Sequence, residues 1–574
     1  MIVRGRNFRQ FPLNIVGSSI FGRYPKISIE KTYNMFISDK FMVPYAGYKK
    51  AISSVDFLNA KEGRAIYTST KFNRLVVVQS ANVFLVNIVY NQEFEKVIYK
   101  EVIHIGTLQT QSGVVYIAEN NKPQIGISDG TAFYIYDPTL TPSFQTIALD
   151  FVPGYLTFHD GYFILAASDD NSSSLLVTPA NNTWHLSEFD EGTSWPNASS
   201  SIGLLQSKPD NTQAVVRFPS KGNMIFVMGS IVTEAWFDTG AQLFPYQRNN
   251  QMNIDYGCLQ PATVAYLDEF VVWLAKNEKS GPIIMYSDGG MPRKITTDGI
   301  DYLFSTLQNP QDSQGFLYRQ DGHLFYHINF YSDNLSLFYD FITDKFYHAC
   351  DQNLNYFIAS EVAFFNNQYY LVTKNNGNLF TFDTSITTYD DVDTLGNLTT
   401  HEIPRIRTCA NIRTPEQDYQ IINDVGFTIE SGETDYQQQS LGRIVLITQD
   451  RKVLGTQGDF QALISQDHKL FITQEGNPIV TQQTNSASSV PFIAQQEANT
   501  GTSNLSLPHV DISISTDGGA TFGNEWAYYL PPIGVRKNRL LWWQLGIAND
   551  FVPQFKFWGM GRFVATDGLV NTRT

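Results

Sequence analysis

Asp160-Gly161-Tyr162-Phe163-Ile164-Leu165 sets a tight-turn pair directly ahead of an apolar run, and Asp321-Gly322-His323-Leu324-Phe325-Tyr326 repeats the arrangement. Asp-Gly tolerates the left-handed backbone of a two-residue hairpin turn, so each pair predicts two antiparallel strands folded back on one another. Working outward, Leu75-Val76-Val77-Val78 precedes Val83-Phe84-Leu85-Val86, and Val114-Val115-Tyr116-Ile117 precedes Phe133-Tyr134-Ile135-Tyr136. Met224-Ile225-Phe226-Val227-Met228, Phe270-Val271-Val272-Trp273-Leu274 and Gln368-Tyr369-Tyr370-Leu371-Val372 continue the series. These runs are short and bounded by turn formers, and amphipathic helical spacing is scarce. They recur roughly every 45 residues, the length of a four-stranded propeller blade. Six or seven such units fit between residues 64 and 383. The expected fold class is all-β, a β-propeller of six or seven blades with an additional C-terminal β domain and an extended N-terminal arm.

The expected domains are an arm and docking segment over 1–60, the propeller over 61–395 and the C-terminal β domain over 396–574. The arm is irregular and punctuated by Pro25, Pro44 and Gly47. Within the last domain, Thr448-Gln449, Thr456-Gln457, Ser465-Gln466, Thr473-Gln474 and Thr481-Gln482 recur at spacings of 8, 9, 8 and 8. This insertion, at about 440–507, reads as short strands with turns between them. Its last part, 482–506, reads as a polar loop.

Of the 574 residues, 14% are aromatic, which favours broad pleated surfaces, and only 17% are charged, below the usual quarter. Either extra surface is buried between subunits or the β core is large. The formal net charge of −15 argues against a protein that grips DNA through phosphates. It is compatible with a wall along which DNA slides. Arg4, Arg6 and Arg9 form a small basic stretch that reads equally as a frayed terminus. Cys258, Cys350 and Cys409 are odd in number and far apart, so no disulfide framework or zinc ribbon is expected. No signal peptide and no apolar run long enough to cross a membrane is read, and synthesis in a reducing cytoplasm is expected.

Three patterns invite a chemical reading. Ser515-Thr516-Asp517-Gly518-Gly519-Ala520-Thr521-Phe522 fits the Asp-box of sialidases, a hairpin turn whose role is structural, carried by Ser515, Asp517, Gly519, Thr521 and Phe522. Arg405 and Arg407 share a strand face by alternation and suit a carboxylate-binding cluster or a solvated or inter-subunit face. His323 and His327 are four apart, but they lie on a strand without the zincin glutamate. No catalytic, cofactor or metal residue is assigned, and the chain is expected not to be an enzyme.

Val510-Asp511-Ile512-Ser513-Ile514-Ser515, then Arg539-Leu540-Leu541-Trp542-Trp543-Gln544-Leu545-Gly546, resembles the closing segment of the tail hub, or tail nozzle, family of short-tailed bacteriophages. Members are also called packaged-DNA-stabilisation proteins. Arg539, Trp543 and Gly546 occupy the family's strand motif. Lys31-Thr32-Tyr33-Asn34-Met35-Phe36 and Val43-Pro44-Tyr45-Ala46-Gly47 are similar to its opening, and Glu234-Ala235-Trp236-Phe237-Asp238 to its centre. The resemblance implies a homohexameric ring in the virion that extends the portal and adaptor channel. Tail fibre, spike or needle proteins would dock on it. Double-stranded DNA would be retained, then pass without sequence-specific binding. The rival expectation is a glycan-binding or glycan-cleaving, sialidase-like propeller.

Overall fold

The computed structural model describes residues 8–22, 30–91, 96–167, 182–218, 221–241, 244–267, 270–393, 396–413, 419–431, 508–530, 537–559 and 561–573, with four short strands between 446 and 482. Strands dominate because β-branched and aromatic residues stack on pleated faces while Asp, Asn and Gly close the turns. Asp160 and Gly161, and again Asp321 and Gly322, all take positive φ, as a two-residue hairpin requires. Asn376-Gly377 opens the strand Asn376–Asp383, and the turn before it falls at Lys374-Asn375 because Thr373 pairs with Asn376.

Seven blades follow in chain order, and the first strand of each, or in blade five the second, lies innermost. Blade one is Gly63–Ser69, Arg74–Gln79, Asn82–Asn91 and Lys96–Thr107. Blades two, three and four begin at Tyr116–Glu119, Pro153–His159 and Thr212–Arg217, and each has four antiparallel strands. Blade five, with five strands, pairs both Gly257–Cys258 and Ala265–Leu267 with Phe270–Lys276. Blade six runs from Ser313–Gln320 to Lys345–His348. Blade seven has only three strands of its own, beginning at Ala359–Phe365. Its fourth is Gly47–Ile52, delivered from the N-terminal segment and paired with Asn376–Asp383. Blade seven packs against blade one, which completes the ring. The core lies between blades, as with Phe357, Leu371 and Phe380 between blades six and seven, and Leu75, Val77 and Phe84 between seven and one.

The C-terminal domain is a two-sheet sandwich that takes strands from both ends of the chain. In one sheet Gln420–Ser431 is central, flanked by Lys537–Ala548 on one side and by Gly568–Arg573 and Phe563–Ala565 on the other. Phe8–Leu13 pairs with Gly568–Arg573, and Phe41–Pro44 reaches Phe563–Ala565. The second sheet orders Lys31–Tyr33, Arg405–Thr408, Asp550–Trp558, His509–Ser515 and Trp526–Tyr529. It is continuous with blade six through a parallel pairing of Tyr33 with His348. Within its described residues, 8–22 and 30–60, the expected arm therefore contributes strands paired within its own subunit. Arg4 and Arg6 lie outside the described residues. So does most of the Thr-Gln insertion, where only Leu446–Ile447 with Val453–Leu454 and Phe460–Ala462 with Val480–Gln482 are described as pairs. Among the described residues no helix is long and apolar enough to cross a membrane.

Candidate assembly surface

Among the described residues the motif strand Lys537–Ala548 pairs along one side only, from Gln420 opposite Ala548 to Glu430 opposite Lys537. Alternation sends Asn538, Leu540 and Trp542 inward and leaves Arg539 and Trp543 outward. The phase then slips: Gln544 and Gly546 take φ of 56° and 110°, and the register shifts between Ile422 and Asp424. This bulge brings Leu545 and Ala548 into the core and leaves Ile547 exposed. Gly546 sits where a side chain would strain the backbone, which explains a glycine at that motif position. Trp543 and Ile547 are each 62% exposed.

The second sheet ends nearby in the edge strand Trp526–Tyr529, with Trp526 and Tyr529 exposed. Trp542 donates from Nε1 to the carbonyl of Trp526 at 3.0 Å and so fixes the two edges to each other. Tyr419, at the start of the facing strand, is also exposed. An open strand edge beside exposed aromatic rings is a surface that soluble proteins ordinarily cover.

The Asp-box turn links His509–Ser515 to this edge. Ser515 Oγ donates to Asp517 Oδ1 at 2.6 Å, and Ala520 and Thr521 donate their N–H groups to the same oxygen at 3.0 and 2.9 Å. Thr521 Oγ1 donates to Asp517 Oδ2 at 2.6 Å, and Gly519 donates its N–H to Ser515 Oγ at 2.8 Å. These donors hold the Asp517 carboxyl well below its ordinary range. Phe522 is half-buried. The turn carries no group poised for proton transfer; it shapes the loop that presents Trp526.

The arginine and histidine candidates go elsewhere. Arg405 and Arg407 do not face solvent or another subunit: both are buried inside the chain. The N-terminal segment folds over their strand, a consequence of pairing that alternation alone does not reveal. Arg407 donates to the carbonyls of Ile15, Ser18 and Asn14 and to Glu30 Oε2, the last at 2.6 Å. His323 bonds Asp340 at 2.9 Å and Ser38 at 3.2 Å; His327 bonds the Tyr45 hydroxyl and Asn329. All three cysteines are buried and free.

The propeller axis, which the motifs gave no reason to single out, is lined by side chains of the inner strands. Tyr116 of blade two and Tyr155 of blade three lie with ring centroids 4.8 Å apart. Arg217 of blade four sits over the Tyr266 ring of blade five at 5.5 Å. Tyr67 of blade one, across the ring, lies within electrostatic reach of both. A tyrosine recurring in the first strand of most blades was the available signal.

These features define the class of protein: an all-β propeller closed by its own N-terminal strand and joined to a sandwich with open aromatic edges. The chain belongs to the family described as bacteriophage P22 Gp10, beta-propeller, which matches residues 79–387, more than half its length. It is thus a structural protein of the phage tail-hub family, found in the virion among other tail components, as its terminal motifs suggested. No curated protein matches the chain. Among solved structures, the N-terminal domain of Nup159 is 10% identical at a TM-score of 0.34, covering 62% of this chain and 98% of that one. Virginiamycin B lyase from Staphylococcus aureus is 8% identical at 0.38, covering 59% and 99%. The computationally designed Ika8 protein is 11% identical at 0.33, covering 58% and 100%. Scores this low carry no argument about function.

Proposed function

We propose that the chain is the ring-forming hub, or nozzle, subunit of a short phage tail, extending the portal–adaptor channel and retaining packaged DNA until ejection. The observation that carries this reading is the pair of open sheet edges bearing Trp526, Tyr529, Trp543 and Ile547, a surface in search of a neighbouring subunit. Cyclic closure of such edges removes them from solvent. A net charge of −15 suits a lumen that does not bind phosphate strongly. The role is assembly, without chemistry of its own. Portal and adaptor rings lie above the subunit in this scheme, and fibre, spike or needle proteins below. The sialidase-like reading loses its arginine candidates, since Arg405 and Arg407 are both buried and Arg407 is spent on the N-terminal segment.

Electron microscopy of the purified protein and of phage particles tests the proposal. A six-fold ring with a central hole that matches density in the tail is the expected result. Monomers without a place on the virion would overturn it.

A further inference from the structure

Five consecutive blades send a donor toward the propeller axis, and one of those donors is a cation without a carboxylate partner. Arg217, at the end of the inner strand of blade four, makes one long hydrogen bond, from Nη1 to the carbonyl of Phe158 at 3.4 Å. Its Nε is buried without a partner. No carboxylate among the described residues lies within ion-pair distance of it, and its remaining contact is the Tyr266 ring. Arg217 is half-buried, and a guanidinium with no carboxylate beside it is free to take an anion.

The phenols around it are equally unspent. The hydroxyls of Tyr67, Tyr116, Tyr155 and Tyr266, from blades one, two, three and five, make no hydrogen bond to a described residue, and none is sealed from solvent. Tyr155 is only 6% exposed. Burial holds the phenols of Tyr67, Tyr116 and Tyr155 above their ordinary range, so they remain donors at neutral pH. The nearby acids are already engaged. Glu119 accepts from Ser69 Oγ at 2.6 Å and from the Thr70 N–H at 3.0 Å, and Glu361 accepts from the Ile66 N–H at 2.9 Å. Burial also pushes the Glu361 carboxyl up to about 7, which reduces its repulsion of an anion.

We propose that the propeller axis at Arg217 binds a small tetrahedral oxyanion of the phosphate class, held by the guanidinium and ringed by phenol hydroxyls. Donors arriving from five blades approach from several directions. A tetrahedral ion presents acceptor oxygens in several directions, whereas a carboxylate presents them in one plane. The site is independent of the ring interface and of whether the ring forms.

Inorganic phosphate is the probe, observed by phosphorus NMR on the full chain at constant ionic strength with chloride as the replacement ion. Saturable line broadening is expected, with a dissociation constant on the order of 1 mM. Arg217→Lys weakens it about tenfold, because the guanidinium fork is lost but the charge is kept. Arg217→Gln abolishes it, and Tyr155→Phe weakens it while leaving the charge intact. Circular dichroism establishes that each variant is folded; if Arg217→Gln is not, the lysine and phenylalanine variants decide the matter. A sharp line with the wild type, or equal broadening in every folded variant, overturns the proposal.

Discussion

Arg407 converts a flexible N-terminal stretch into part of the sandwich. Its side chain is fully buried, and its guanidinium gathers three carbonyls, the Thr32 hydroxyl and Glu30. Gly17 leaves room for it: a Cβ there would lie 2.0 Å from Arg407 Nη2. Arg407→Ala is expected to lower stability by about 3–5 kcal/mol in urea unfolding, because Glu30 and three carbonyls lose their partner. The titratable core gives a second prediction. His327 and His348 are held neutral by burial, their pKa lowered from 6.5 to about 3. The unfolded chain takes up protons that these sites refuse, so stability falls as pH drops below 6.5. Glu361 acts in the opposite sense. Its carboxyl, raised from 4.5 to about 7, keeps its proton in the fold while the unfolded chain has lost it, so stability falls as pH rises through that window. Against Glu361→Gln, the wild type is expected to lose about 2–3 kcal/mol between pH 5 and 8 in unfolding titrations.

At the scale of elements, the strand Gly47–Ile52 decides whether the propeller is closed. Tyr48 is almost fully buried and stacks on Tyr389 at 4.2 Å, so it ties this strand to the outer strands of blade seven. Tyr48→Ala is expected to cost about 3–5 kcal/mol and to expose the seam between blades six and seven to limited proteolysis. The edge strand Lys537–Ala548 calls for the opposite experiment. Trp543 is mostly exposed in the single subunit, so Trp543→Ala should change subunit stability by no more than about 0.5 kcal/mol. In sedimentation it should shift the protein toward the monomer. The hairpins were legible because Asp160-Gly161 and Asp321-Gly322 carry their turn geometry locally. The closing strand was not: Gly47–Ile52 lacks a strong apolar alternation, and its partner is more than three hundred residues away.

For the whole molecule, the negative charge sets an expectation for DNA. Purified protein should not retain duplex DNA in a gel-shift assay at about 0.15 M salt, since few uncompensated cations are offered to phosphate. A stable retarded complex under those conditions would contradict a lumen that lets DNA slide.

By itself the sequence determined the all-β class, the blade period, the turn positions and the family, because each rests on contacts between residues close in the chain or on a short motif. Only the tertiary structure decided that there are seven blades, that the N-terminal segment completes both the last blade and the sandwich, and that Arg405 and Arg407 face inward. It also decided that tyrosines from separate blades meet on one axis. Those outcomes depend on which distant strand pairs with which edge, and alternation fixes the two faces of a strand without saying what covers either one.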